Sequence, residues 1–212
     1  MKNFFFIGSG GYFREQFQWF RDFVIKKKIK NYNVAGIIDD VNYKTIRDNY
    51  SGLKIFKSKD IKYSTDKYLI LSIGDPKTRN HFIKKFSKFN FFNLIHPSAI
   101  VSSYAKIGKG TIVSPLSIIA GNAVMGDFNN LNSGTMLSHD CNVGANNTFS
   151  PGAKIMGHCT IGSNNFFGVD SKMVPSTTIL NNNIIGANCT VINNFKSNST
   201  LVGTPAKVIK KK

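Results

Sequence analysis

Acidic residues are scarce in this 212-residue chain, which has 11 aspartates and glutamates against 28 lysines and arginines and a formal net charge of +17. Such an excess of cations favours anionic partners, either nucleic acid or phosphorylated small molecules. The lysines are scattered, however, and the runs of three at residues 26–28 and 210–212 lack the interleaved aromatic side chains of a nucleic-acid platform. We therefore expect no nucleic-acid partner, and a positive field that steers small phosphorylated ligands.

Long apolar runs, cysteines and histidines are also few. No run of about 18 apolar residues exists, and the N-terminal apolar stretch meets a glycine turn at Gly8 before a signal-peptide core forms. We therefore expect a cytoplasmic protein with no membrane insertion. Three cysteines in such a chain do not indicate disulfides. With His96, His139 and His158 the only histidines after residue 95, the sequence predicts no metal site.

The first half of the chain alternates short apolar runs with segments of helical periodicity. Residues 3–7, 34–38 and 67–73 predict buried strands, and apolar residues recur at helical spacing through residues 12–29 and again after residue 79. Strands that alternate with helices indicate a small parallel sheet with helices on its faces.

From residue 95 the apolar pattern changes to a period of six. Large apolar residues occupy seventeen consecutive positions of this period, and a small or short residue follows each of them after four residues, with Phe195 as the exception. A hexapeptide period with one bulky and one small inward position predicts a triangular coil of three short strands per turn. Cys141, Cys159 and Cys189 fall on the small inward position, so we interpret them as core residues. The large positions are Ile95, Val101, Ile107, Val113, Ile119, Met125, Leu131, Leu137, Val143, Phe149, Ile155, Ile161, Phe167, Met173, Ile179, Ile185 and Val191.

Together these motifs resemble those of a known group of enzymes. The hexapeptides of residues 95 to about 205 resemble the left-handed β-helix acyltransferases. Residues 8–15 (GSGGYFRE) resemble the glycine-rich opening of the bacillosamine-pathway and sialic-acid-pathway acetyltransferases, and residues 37–40, 72–75 and 202–207 resemble further segments of the same enzymes. The resemblance implies a small Rossmann-like α/β domain at residues 1–94, a left-handed parallel β-helix at 95–195, and a C-terminal segment at 196–212.

The resemblance also implies an activity. It predicts an N-acetyltransferase that uses acetyl-CoA to acetylate the amino group of a 4-amino-4,6-dideoxy sugar linked to UDP or dTDP, and that forms a homotrimer. O-acetylation of a sialic-acid-like sugar is the alternative enzyme activity, and a non-catalytic basic scaffold is the alternative of another class. The N-terminal domain favours the first prediction, because it is the part that holds the nucleotide-sugar in the enzymes it resembles.

The predicted substrate site lies mainly in the first domain. Glycines between a strand and a helix let backbone N–H groups approach a diphosphate at the positive end of the helix. A dinucleotide fingerprint would have a third glycine where Phe13 stands, which argues against NAD. The predicted substrate-binding residues are Gly8, Ser9, Gly10, Gly11, Asp39, Asp40, Gly74, Asp75, Arg79 and, in the coil, Asn132.

The predicted catalytic pair is His139 and Asp140. Acyl transfer needs a base for the proton of the nucleophile and donors for the developing oxyanion. His139 comes two residues after the inward Leu137, which places it near a corner with its side chain pointing outward. Asp140 resembles the acid that orients the base in this family and would fix the imidazole tautomer. His158, one coil of eighteen residues after Asp140, is a rival partner for the acid.

The predicted acetyl-CoA site follows the coil toward its C-terminal end. Glycines stack on His139 from both neighbouring turns, at Gly121 and Gly157, and leave a notch for a thin pantetheine arm. The relatives carry a second histidine where Thr148 stands, and Tyr12 and Phe13 replace a histidine and a glycine of their glycine-rich loop. The predicted cofactor-binding residues are Thr148, Gly157, Gly186, Ala187, Thr204, Pro205 and Lys207.

Overall fold

The computed structural model describes residues 1–44 and 50–211. It divides the chain into two compact units, residues 1–94 and residues 95–212. In the described residues no helix combines the length and apolar character needed to cross a membrane.

The first unit is a five-stranded, wholly parallel sheet with the strand order β3-β2-β1-β4-β5. Two α-helices connect its strands, as the alternating pattern predicted. Its elements are β1 (Lys2–Ile7), α1 (Gly11–Lys26), β2 (Tyr32–Ile38), β3 (Ile55–Phe56), a 3-10 helix (Ser58–Asp60), β4 (Lys67–Leu71), α2 (Pro76–Lys85) and β5 (Asn90–Phe91).

Aromatic side chains fix α1 against the sheet. The ring of Phe6, on the central strand β1, lies 5.3 Å from Phe13 and 5.8 Å from Phe20 between centroids, and the three side chains are buried. Burial of each such ring contributes about 1.5–3 kcal/mol relative to exposure. The packing therefore holds the start of α1 directly after the C-terminal end of β1.

The second unit is a parallel β-helix, so the predicted coil is confirmed. Its two-residue strands recur every six residues and form three sheets, one for each side of the triangle. The first sheet contains β6 (Leu94–Ile95), β9 (Ile112–Val113), β12 (Asn130–Leu131), β15 (Thr148–Phe149), β18 (Phe166–Phe167), β21 (Ile184–Ile185), β23 (Ser199–Val202) and the antiparallel β24 (Lys207–Lys211). The second contains β7 (Ile100–Val101), β10 (Ile118–Ile119), β13 (Met136–Leu137), β16 (Lys154–Ile155), β19 (Lys172–Met173) and β22 (Thr190–Val191). The third contains β8 (Lys106–Ile107), β11 (Val124–Met125), β14 (Asn142–Val143), β17 (Thr160–Ile161) and β20 (Thr178–Ile179).

The small inward positions at one corner carry a ladder of buried asparagines. The side-chain oxygen of Asn129 accepts from the backbone N–H and the amide of Asn147, at 2.9 and 3.0 Å, and Asn147 accepts in the same way from Asn165. Asn183 continues the ladder by donating its backbone N–H to Asn165. A buried amide is tolerated only when its polar atoms are paired, and repetition every eighteen residues pairs them.

The final turn of the coil is two residues short. Phe195 bridges to Ile179, and Ser199 donates its backbone N–H to Asn183, both across a separation of sixteen residues. Phe195 therefore lies in the column of large side chains, although the hexapeptide count assigned it to a small position. The six-residue count after Val191 was wrong because the chain shortens there by two residues.

Candidate active site

A cavity of about 430 Å³ opens in the first unit where β1, β2 and β4 end. The carboxyl ends of parallel strands are where ligands bind in open α/β sheets. Of the predicted substrate residues, seven line this cavity. The whole lining is Gly8, Ser9, Gly10, Gly11, Tyr12, Ile38, Asp39, Asp40, Val41, Asn42, Ser72, Ile73, Gly74, Thr78 and Phe82.

The glycine turn brings the uncapped start of α1 to the cavity. Gly8 has a φ of +97°, and a Cβ there would lie 3.0 Å from the carbonyl oxygen of Ser72. A Cβ on Gly10 or Gly11 would meet nothing within 4 Å, so these two glycines leave the space open. Gly10 stands at the N-cap position of α1 and provides no side-chain hydrogen bond, and the first turn contains no acid. A helix start of this kind attracts an anionic group.

Asp39 ties the glycine turn to the end of β2. One carboxylate oxygen accepts from the backbone N–H and hydroxyl of Ser9, at 3.0 and 2.6 Å, and the other accepts from the N–H groups of Val41 and Asn42, both at 2.9 Å. Burial raises the pKa of Asp39, but the hydrogen bonds from Ser9, Asn42 and Val41 outweigh it, so the pKa lies below its ordinary value. The carboxylate thus shapes the cavity with its acceptor oxygens already occupied.

Asp40 is held by a different loop. It accepts from the backbone N–H and hydroxyl of Ser58, at 2.7 and 2.5 Å, and the Lys85 ammonium lies 3.4 Å away. Burial raises the pKa of Asp40, and the bonds from Ser58 and the charge of Lys85 lower it to a net value below the ordinary one. Asp40 is more exposed than Asp39 and is therefore the more accessible acid of the pair.

Besides Asn132 in the coil, two predicted substrate residues of the first unit do not line the cavity. Asp75 caps α2, accepting from the backbone N–H and hydroxyl of Thr78 at 2.7 and 2.6 Å. Arg79 is 1% exposed, and burial lowers its pKa to about 10. Thr78 and Phe82, also on α2, do line the cavity but were missed. Tyr12 also lines the cavity, and its place directly after the glycines is the sequence signal for that position.

Replacing Asp39 by asparagine should loosen the glycine turn and lower the stability of the first unit by about 2 kcal/mol, since hydrogen bonds to a charged group contribute about 1.5–3 kcal/mol. Trp19, the one tryptophan of the chain, is buried on α1, so its fluorescence during thermal unfolding reports on this unit. The folded-state pKa of Asp39 lies below the ordinary value of 3.8, so its stabilisation is present above that value and is lost as the pH falls further. The difference from the wild type should therefore be full at neutral pH and shrink in acid.

Asp40→Asn is the matched control, because Asp40 contacts Ser58 and Lys85 and makes no contact with Ser9. The unfolding temperature of Asp40→Asn, followed by the fluorescence of Trp19, should be closer to that of the wild type. An equal loss in both variants, or no loss in Asp39→Asn, would contradict the role assigned to Asp39.

A second group of side chains lies at a corner of the β-helix. The Nδ1 atom of His139 is 2.8 Å from Oδ2 of Asp140, and the amide of Asn122, one coil earlier, donates to Oδ1 of the same carboxylate at 3.1 Å. These bonds from His139 and Asn122 hold the pKa of Asp140 below its ordinary value, so the carboxylate stays ionised. With Nδ1 directed at the acid, Nε2 of the imidazole is the nitrogen available to a reactant.

Gly157 forms the floor beneath the imidazole. A Cβ at this position would lie 2.6 Å from Cε1 and 2.8 Å from Nε2 of His139. On the other side of the stack, a Cβ on Gly121 would meet only the Ser102 hydroxyl, at 3.8 Å. The His139 ring therefore packs against the later turn. Of the two glycines, only Gly157 stands where a side chain would overlap the ring.

Three comparisons with known proteins bear on this arrangement. Residues 3–86 match the family model of the PglD N-terminal domain. No curated protein matches the chain. Among solved structures, perosamine N-acetyltransferase from Caulobacter crescentus, in complex with CoA and GDP-perosamine, is 25% identical, with a TM-score of 0.86 over 99% of this chain and 98% of that one. The acetyltransferase domain of PglB from Neisseria gonorrhoeae is 21% identical, with a TM-score of 0.87 over 99% and 100% of the two chains. WeeI from Acinetobacter baumannii is 19% identical, with a TM-score of 0.74 over 99% and 100%.

The chain is an acyltransferase. The resemblance to hexapeptide-repeat sugar acetyltransferases, which the sequence motifs predicted, is confirmed by these matches. The Caulobacter enzyme was also solved with one histidine replaced by asparagine or by alanine, again with CoA and GDP-perosamine. The Neisseria domain was solved with acetyl coenzyme A.

The cofactor residues predicted for this acyltransferase fall into three places. Gly157 lies beneath the His139 ring, and Thr148 lies on β15 in register with Asn130 and is 2% exposed. The other five gather at the C-terminal end of the coil, where Gly186 donates its N–H to Leu201 and the Thr204 hydroxyl donates to the carbonyl of Asn188. Gly186, Ala187, Thr204, Pro205 and Lys207 thus surround the last strands, with a cis peptide bond between Thr204 and Pro205.

Cys141 takes its predicted inward place, whereas the substrate role of Asn132 stays a prediction. Asn132 is half-buried just after β12, where its carbonyl accepts from the hydroxyl of Ser117. Cys141 is 1% exposed, and its thiol donates inward to the carbonyl of Met156. Burial raises the pKa of the Cys141 thiol, and the side chain faces the inside of the coil, where a reactant does not reach it.

Proposed function

We propose that the protein transfers an acetyl group from acetyl-CoA to the amino group of a nucleotide-linked 4-amino-4,6-dideoxy sugar, with His139 as general base. The observation that carries the proposal is the placement of the His139 imidazole. Its Nδ1 bonds Asp140 and its ring packs over Gly157, which leaves Nε2 available to a reactant. The substrates of the Caulobacter relative support the same class of reaction.

The proton transfers follow from this geometry. As the sugar nitrogen bonds to the acetyl carbonyl carbon, Nε2 of His139 accepts the proton that the amine loses. The ionised Asp140 stabilises the imidazolium through Nδ1. When the carbon–sulfur bond breaks, Nε2 returns the proton to the departing CoA sulfur. The cycle leaves an amide and free CoA, with His139 neutral again.

The cavity of the first unit is proposed to hold the nucleotide. The open glycine turn and the uncapped start of α1 suit a diphosphate, and the partly exposed carboxylate of Asp40 suits a ribose or base donor. The resemblance of the sequence favours UDP or dTDP, whereas the Caulobacter relative was solved with GDP-perosamine. A homotrimer, the assembly implied by the resemblance, is part of the proposal and is checked by the mass of the protein in solution.

A substrate panel tests the proposed function. Acetyl-CoA is offered with 4-amino-4,6-dideoxy sugars linked to UDP, dTDP or GDP, and CoA release and the acetylated product are measured. We expect N-acetylation of at least one linked sugar. Acetylation of a hydroxyl on a sialic-acid-like sugar without a nucleotide would contradict the proposal and favour the O-acetyltransferase alternative. No transfer to any acceptor would favour the non-catalytic scaffold.

Replacing Gly157 by alanine should reduce turnover by about 10-fold or more, because the new methyl group overlaps the His139 ring and a displaced catalytic group costs up to about 10²-fold. Gly121→Ala is the matched control: it adds the same methyl group on the opposite side of the histidine, into open space. Steady-state kinetics of both variants measure the effect. Equal activity of the two variants would show that the close contact between residue 157 and the His139 ring does not position the base.

A further inference from the structure

Two imidazoles and one carboxylate meet at the corner that carries the proposed base. Nε2 of His158 lies 3.9 Å from Oδ2 of Asp140, and Nδ1 of His139 lies 2.8 Å from that same oxygen. One ligand atom from each of the three residues lies within 4.8 Å of the other two. All three side chains are exposed, so an ion reaches them from solvent.

The backbone holds this group rigidly. Asp140 and His158 both have left-handed backbone conformations, with φ of +57° and +60°, at the same corner of two successive turns. The N–H of His158 donates to the carbonyl of His139 at 3.1 Å, and the N–H of Asp140 donates to that of Gly121 at 3.0 Å. The three side chains therefore project from two adjacent turns at a fixed separation.

The donor atoms suit a borderline-soft metal ion. Two imidazole nitrogens and one carboxylate oxygen form a ligand set of the kind zinc uses, with the fourth position left to water. Tetrahedral ligands at about 2.0–2.1 Å from zinc lie about 3.4 Å from one another, between the two distances found here. Asn122 occupies Oδ1 of Asp140 and leaves Oδ2 as a single ligand atom, which is how outer hydrogen bonds orient metal ligands.

We propose that His139, Asp140 and His158 form a Zn²⁺ site that acetyl transfer does not require and through which the ion inhibits the enzyme. When Zn²⁺ takes the lone pair of Nδ1 of His139, the single proton of the neutral imidazole resides on Nε2. Nε2 then has no lone pair for the proton of the amine. The bound metal therefore prevents His139 from acting as the base.

Metal binding is tested without substrate, so its outcome does not depend on the proposed function. Co²⁺ serves as the probe, since a tetrahedral or five-coordinate site gives it strong visible absorption bands, and Zn²⁺ then displaces it in a competition titration. We expect one Co²⁺ per chain in the wild type, displaced by Zn²⁺ but not by Mg²⁺, because imidazole ligands are a poor set for magnesium.

His158→Asn removes one ligand, and asparagine suits the left-handed backbone at this position, as Asn122 does two turns earlier at the same corner and Asn146 and Asn164 do at another corner. Loss of an outer hydrogen bond to a ligand lowers metal affinity by about 10–100-fold. Loss of a ligand in His158→Asn should weaken Zn²⁺ binding by more than that. His96→Asn, at another corner where Nδ1 of His96 contacts the Ser98 hydroxyl, is the control and should bind as the wild type does.

Zn²⁺ should also inhibit acetyl transfer by the wild type and not by His158→Asn, when the activity of each protein is compared with and without the metal. The acetylated sugar is measured directly, because CoA thiol itself binds zinc. Absence of the cobalt bands in the wild type, or unchanged zinc affinity in His158→Asn, overturns the proposal.

Discussion

Replacing His139 by alanine should lower kcat by about 10²-fold or more, because a positioned general base contributes about 10²–10⁴-fold. The side chain is exposed at its corner and makes its hydrogen bond to Asp140, so its loss removes the base without opening a cavity in the coil. The affinity for the nucleotide-sugar should change little, since the cavity proposed for it lies in the first unit. Steady-state kinetics together with binding measurements separate these two effects.

Two further variants sharpen this test. His139→Asn keeps a polar side chain of smaller size and should be as inactive as His139→Ala, because an amide does not accept the proton. Cys141→Ala, at the inward position two residues later, should keep near wild-type turnover. If His139→Ala retained wild-type turnover, the assignment of the base would be wrong.

Removing the nucleotide from the acceptor should lower kcat/KM by about 10²-fold or more, because remote binding energy positions the amine at the reacting centre. KM should rise steeply, and kcat should fall as well if the nucleotide orients the sugar. The measurement compares the free amino sugar with its linked form at the same enzyme concentration. The corresponding nucleoside diphosphate alone should inhibit competitively against the linked sugar, which shows that the nucleotide has a site of its own.

Equal kcat/KM for the free and linked sugars would contradict the role proposed for the glycine turn. It would also favour acetylation of a sugar without a nucleotide, the alternative that uses the same base. Phe82→Ala, which changes the cavity wall on α2, should raise KM for the linked sugar and leave KM for the free sugar unchanged.

The architecture of both units was predictable from the sequence because its determinants are local. A large residue at every sixth position from Ile95 to Val191 satisfies one backbone geometry, and the same register explains the buried Cys141 and Cys159. The strands and helices of the first unit follow from apolar runs and helical spacing. Gly8 indicated the turn after β1, because a backbone position with a left-handed φ favours glycine.

Tertiary structure alone decided what each polar side chain does. The pattern that placed Asp39 and Asp40 after β2 did not show that Asp39 bonds Ser9, thirty residues earlier, or that Asp40 bonds Ser58, eighteen residues later. Arg79 reads as a ligand-binding residue in the sequence but is buried in the fold. The two-residue shortening before Ser199 has no signature in the period itself.

The corner at His139 shows the same division. The coil repeat of eighteen residues, read from the sequence, was enough to stack Gly121, His139 and Gly157 and to bring His158 beside Asp140. Only the three-dimensional structure showed that His139 leans on Gly157 and that His139 and His158 face one carboxylate oxygen. A backbone period fixes where residues lie along a coil, whereas the rotamer of each side chain is set by the neighbours it packs against and bonds to.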